Sequence, residues 1–110
     1  MPPHDNGSDA LVSELADHDM LELVEMFVAS LPDRIAAIEK AIDTRDLATL
    51  ARLVHQLKGA AGGYGFPSIT EAAREIHPDR MAREDPETLR HQVRALVDLC
   101  RRARAGAATS

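Results

Sequence analysis

Aromatic residues are scarce in this chain of 110 residues: there is no tryptophan, and Phe27, Tyr64 and Phe66 are the whole complement. With Ala, Leu and Arg abundant, that scarcity disfavours a sandwich or barrel and favours a helical bundle. A single cysteine, Cys100, excludes an internal disulfide and fits a reducing cytoplasm, and its place in an apolar stripe makes it a small core residue. No apolar run approaches the roughly 20 residues that span a bilayer, so no membrane role is expected. The opening "MPPHDNGSDA" lacks both the charged and the apolar region of a secretory leader. A basic surplus is also missing. The net charge of −5 makes nucleic acid a poor partner.

What charge there is lies unevenly. Residues 1–50 carry 11 acidic and 3 basic side chains, whereas residues 51–110 carry 7 and 10. The basic second half suits an acidic protein or a phosphoryl group, although solvated helix faces explain any single Arg equally well. The length suits one domain with one modest core, and one apolar face per helix suggests a monomer.

Along the chain, residues 1–8 read as disordered, 9–104 as the folded unit and 105–110 as a frayed tail. A short extra N-terminal helix is expected after Ser8, with Leu11, Val12 and Leu15 on its apolar side. A long stripe then runs through Leu21, Val24, Phe27, Val28, Leu31, Ile35, Ile38 and Ile42, predicting helix from about residue 19 to 43. Pro32 falls inside it and predicts a kink, or two collinear helices with Ser30 capping the second. Asp46 caps the next helix, whose stripe is Leu47, Leu50, Val54, Leu57, Ala61 and Tyr64, and Gly65 suits the left-handed stop after it. In "FPSITE", Ser68 and Glu71 have capping-box spacing, followed by Ile69, Ala72, Ala73 and Ile76 as an apolar face. Pro78 should end or bend that helix. Asp85 and Pro86 open the last one, with Leu89, Val93, Leu96, Val97, Cys100 and Ala103 as its stripe. Four main amphipathic helices with short connections predict an all-α fold, an antiparallel up-down four-helix bundle.

The stretch "VHQLKGAAGGYG", residues 54–65, holds three glycines inside a helical pattern, and each costs about 1 kcal/mol against alanine. On a helical wheel His55 points about 140° away from the core direction. Gly59, Gly62, Ala48 and Ala51 surround it, and Lys58 lies one turn along the same flank. A lone exposed histidine is usually only solvated surface. Here the side chains beside it are nearly absent, which leaves a bulky partner room to approach one imidazole. A lysine in a chain with 11 Arg and 2 Lys is also not a default cation: a compact ammonium follows a phosphoryl group as a mobile point charge.

These residues resemble the His-x-x-Lys-Gly signature of the histidine-containing phosphotransfer (HPt) domain family. "EMFVASLPDRIAAIEKAIDTRDLATLARLVHQLKG" is similar to the family's first half and "GFPSITEAARE" to its next helix, so the resemblance spans roughly residues 10 to 104. It implies that His55 accepts a phosphoryl group on its outer ring nitrogen, that Lys58 steadies the charge, and that Gly59 leaves room for the partner. Gly62, Ala48, Ala51 and Arg52 would complete the docking surface. It further implies a phosphocarrier that neither binds nor hydrolyses ATP and has no cofactor of its own. Its partners would be the receiver domain of a response regulator or a hybrid histidine kinase, the receiver supplying Mg²⁺.

One position departs from the family. Folding the chain back at Phe66 puts His77 level with His55, since ten residues down and eleven up are climbs of about 15 and 16.5 Å. Relatives commonly carry Gln or Glu there, holding the inner ring nitrogen of the active histidine. His77 either takes that orienting part as a neutral tautomer or points away beside Pro78.

Competing readings are weaker. A metal site lacks ligands one turn from His55 or His77. His4 and His18 lie in or near the acidic N-terminal region and His91 on the polar side of the last helix, so all three read as bystanders. A hydrolase would need a nucleophile beside His55, and Cys100 faces the core. The remaining alternative is an HPt-like interaction module that binds a receiver or kinase without transfer; His55 and Lys58 together argue against it.

Overall fold

The computed structural model describes residues 10–15 and 19–106. In chain order the elements are β1 (Leu11–Val12), α1 (Leu21–Asp43), α2 (Leu47–Gly63), α3 (Pro67–Arg74), α4 (Pro78–Met81), α5 (Pro86–Arg102) and β2 (Ala103–Arg104). Helix dominates, as the composition implies.

α1 buries Val24, Phe27, Leu31, Ile35, Ile38, Ala41 and Ile42. The expected division at Pro32 does not occur, and Ser30 is not a cap. Proline removes the N–H that would bond the Val28 carbonyl, but the buried stripe on either side holds the 23 residues as one helix. Ser30 instead donates to the Phe27 carbonyl at 2.6 Å and accepts from Arg34 Nε at 2.9 Å.

Arg45 turns the chain with φ of 55°, and Asp46 then caps α2 as expected, accepting from the Thr49 N–H at 3.2 Å. Thr49, through its side chain first and its N–H second, holds the Asp46 carboxyl below its usual value. α2 buries Leu50, Val54, Leu57 and Ala61. Gly65 follows at φ of 85°, the left-handed reversal its sequence position implies.

The capping box at Ser68 and Glu71 is not formed. Pro67 takes the first helical position of α3, which makes Phe66 the cap residue and puts Ser68 inside the first turn. Glu71 pairs with Arg74 at 3.1 Å instead. The chain leaves the helix after Arg74, though Ile76 is still buried. His77 is extended (φ −91°, ψ 124°), as a residue before proline prefers, and Pro78 opens the single turn α4, which the sequence pattern did not reveal. Asp85 caps α5 through the Thr88 N–H at 3.2 Å, and α5 buries the expected residues from Leu89 to Cys100. Ala103 is also buried, but in β2 rather than on the helix.

The short N-terminal helix is also corrected. Leu11 and Val12 form β1, pairing in parallel with Ala103 and Arg104 of β2. A helical turn this short makes few bonds of its own, whereas the extended segment finds partners on both sides. Ser13 N–H donates to the Arg104 carbonyl at 3.1 Å, and Glu14 N–H to the Gly65 carbonyl at 2.8 Å. Ala105, placed in the expected tail, packs against the core.

The four longer helices close around one core, α2 packing on α1 and α3, and α5 on α1 and α3. Phe66, Leu31, Ile38, Leu50, Leu57, Ile69, Leu89 and Leu96 are fully enclosed there. The three aromatics gather at one end. Phe27 stacks on Tyr64 with ring centroids 5.2 Å apart and tilts against Phe66 at 5.8 Å, which seats the α2–α3 turn on α1. Among the described residues no helix is long and apolar enough to cross a membrane.

Candidate functional site

The middle of α2 carries its buried stripe on one side and His55 on the other, so the imidazole is exposed as the helical wheel requires. Lys58 is half-buried and Gly59 exposed one turn further on. A β-carbon built on Gly59 would meet nothing within 4 Å. Gly62 is different: its β-carbon would touch Thr70 Oγ1 at 3.4 Å, so this glycine also serves the contact between α2 and α3. Ala48 and Arg52 are exposed and Ala51 is half-buried, consistent with a low surface around the imidazole.

α3 comes back along this flank, tied down where the Thr70 hydroxyl donates to the Lys58 carbonyl at 3.1 Å. Between them lies a shallow depression of about 70 Å³ bordered by Ala51, His55, Lys58, Arg74, His77 and Pro78. Small-molecule pockets commonly enclose about 300–1,000 Å³, so this one is a contact surface rather than a substrate cavity. Larger open furrows run between α1 and α5, and none of their lining residues belongs to α2.

His55, Lys58 and His77 all border this depression. The Thr70–Lys58 bond ties the two helices together here, and Arg74, one turn on from Thr70, borders the same depression as His55. His77 lies past the break after Arg74. No hydrogen bond joins His55 to His77 among the described residues. Arg74, which the count from Phe66 does not single out, borders the depression too.

Other candidates separate from the site. His91 is exposed on α5, and His4 and His18 lie outside the described residues. Burial pushes the Cys100 thiol up to about 12, which keeps it protonated and inert as a nucleophile. Among the described residues no three His, Cys, Asp or Glu side chains converge where they could hold a metal ion.

Comparison with curated proteins and with solved structures returned no match to the chain. The family model described as the Hpt domain, however, matches residues 22–106, a span that holds His55, Lys58 and the whole depression they border, and the chain belongs to the Hpt domain family.

Proposed function

We propose that this chain is a phosphocarrier in a two-component phosphorelay, with His55 as its phosphoryl acceptor. The family places it among histidine phosphotransfer modules, which work with receiver domains and kinases rather than as enzymes in their own right. The observation that carries the residue assignment is the exposed imidazole of His55, with Lys58 one turn away and open space over Gly59. The frame is an antiparallel up-down four-helix bundle, acting as a monomer in the cytoplasm.

The donor is an aspartyl phosphate on a receiver domain, whose acidic pocket supplies Mg²⁺. The outer ring nitrogen of neutral His55 offers its lone pair to phosphorus. The new N–P bond forms as the P–O bond to the aspartyl carboxylate breaks, and the carboxylate leaves with the electron pair. The proton on the inner ring nitrogen then passes to solvent. Lys58 offsets the arriving negative charge, and the bare surface at Gly59 lets the receiver close over the imidazole. The reverse sequence hands the group to a second receiver. His77, bordering the same depression, is a candidate to hold the inner ring nitrogen.

Incubation of the purified chain with a phosphorylated receiver and Mg²⁺ tests this. Acid-labile phosphate should appear on the chain and be lost in His55→Gln. Absence of transfer, or transfer to the His55→Gln variant, would refute the assignment and leave the non-transferring interaction module.

A further inference from the structure

We propose that Arg74 is a second phosphoryl-binding cation of this site, held in reserve by Glu71. The inference rests on His55 being the phosphorylated residue and goes beyond the His-x-x-Lys-Gly signature, which contains no arginine.

Three observations carry it. Arg74 of α3 and Lys58 of α2 both border the His55 depression, so a phosphoryl group on the imidazole would have a cation from each of two helices beside it. Its height is fixed by a bond on the same face of α3: Thr70, one turn earlier, is pinned to the Lys58 carbonyl at 3.1 Å. Arg74 also borders the neighbouring depression that holds Glu71, and there its guanidinium pairs with Glu71 at 3.1 Å. Both partners of that pair are more than half exposed, at 57% and 68% of their side-chain surface. Such an exposed pair contributes little and is easily exchanged.

A phosphoryl dianion is the stronger attractor. It offers three acceptor oxygens to a guanidinium fork built for two parallel bonds, whereas one exposed carboxylate now occupies a single nitrogen. On phosphorylation of His55 the guanidinium therefore turns from Glu71 to the phosphoryl oxygens. Lys58 then acts as the point charge and Arg74 as the orienting fork.

The test needs no partner protein. Phosphoramidate gives its phosphoryl group to an imidazole nitrogen with release of ammonia, and the His55→Gln chain identifies the His55 signal among the phosphohistidines in ³¹P NMR. A nearby cation favours the dianion, so the second ionisation of the His55 phosphoryl group should have its midpoint raised by about half a pH unit in Arg74→Gln. Arg74→Lys should restore part of that shift, and Glu71→Gln, which frees the guanidinium, should move the midpoint down. Equal midpoints in the parent and Arg74→Gln chains would overturn the proposal, as would failure of His55 to accept the group from the reagent. A chain that takes nothing from a phosphorylated receiver yet shows the Arg74-dependent shift keeps this inference and loses the relay. Transfer from the receiver with unchanged midpoints does the opposite.

Discussion

Ser13 and Tyr64, 51 residues apart, are joined by a hydrogen bond of 2.5 Å from the Ser13 hydroxyl to the Tyr64 carbonyl. Ser13 is only 7% exposed, and its hydroxyl also accepts from the Leu15 N–H at 3.0 Å. The N-terminal segment is thereby laid across the α2–α3 turn, the same turn that reverses the chain below the candidate site. Gly65 makes this crossing possible.

Two glycines of the same region should respond oppositely to alanine. At Gly65 the φ of 85° is strained for any side chain, and a β-carbon would come within 2.6 Å of Ser13 Oγ and of the Leu15 nitrogen. Gly65→Ala should therefore cost on the order of 3 kcal/mol, combining left-handed strain with loss of the crossing segment's hydrogen bonds. Gly59→Ala meets open space in a helix interior and should raise stability by about 1 kcal/mol. Urea denaturation followed by circular dichroism measures both, and equal effects of one sign would refute the distinction.

For phosphotransfer the ranking inverts. Gly59→Leu should leave the fold intact but crowd the imidazole, slowing transfer from a phosphorylated receiver on the order of a hundredfold, as misplacement of reacting groups by about an ångström does. Lys58→Ala should slow it about tenfold by removing one charge-assisted contact at an exposed site. Its circular dichroism should not change, because the bond that pins α3 goes to the Lys58 main-chain carbonyl, which alanine retains. Gly62→Leu is a less clean probe, since contact with Thr70 Oγ1 couples it to α3.

What could be read from the sequence follows from the range of the forces involved. Helix periodicity and caps are local, so the stripes of α1, α2 and α5 and the caps at Asp46 and Asp85 were legible. The outward direction of His55 was legible because a helix fixes its angle to the buried stripe. Features that depend on distant pairing were not. Nothing local distinguishes Leu11–Val12 as a strand, because its partner is Ala103–Arg104 at the other end of the chain. Arg74 is a related case: that it borders the same depression as His55 depends on how α3 packs against α2, which no local pattern encodes.

The cap on α2 predicts a pH dependence. The bonds from Thr49 lower the Asp46 pKa below 3.8 in the folded chain. The stabilisation is therefore present above that value and is lost as pH falls through the folded pKa. Asp46→Ala should be less stable than the parent near neutrality, and the gap should narrow towards zero as the pH is taken well below 3.8. Denaturation midpoints across an acid series would show this, and a gap independent of pH would mean that the carboxylate charge has no part in the cap.

Cys100 predicts the opposite slope at the alkaline end. Its thiol is 3% exposed, and burial raises its pKa from 9.0 to about 12. Between those values the unfolded chain has lost the thiol proton while the folded chain keeps it. The unfolded state then binds fewer protons, so stability falls as pH rises, by up to about 1.4 kcal/mol per pH unit for this group. Cys100→Ala leaves a small cavity and should be less stable than the parent at pH 8 by about 1 kcal/mol. It lacks the titrating thiol, however, so its stability should fall less steeply above pH 9 and the two curves should converge. The same burial makes the native thiol slow to react with an alkylating reagent at pH 8, with labelling appearing only as the chain unfolds. Parallel stability curves, or rapid labelling of the folded chain, would show that Cys100 is not enclosed between α1 and α5 as the packing requires.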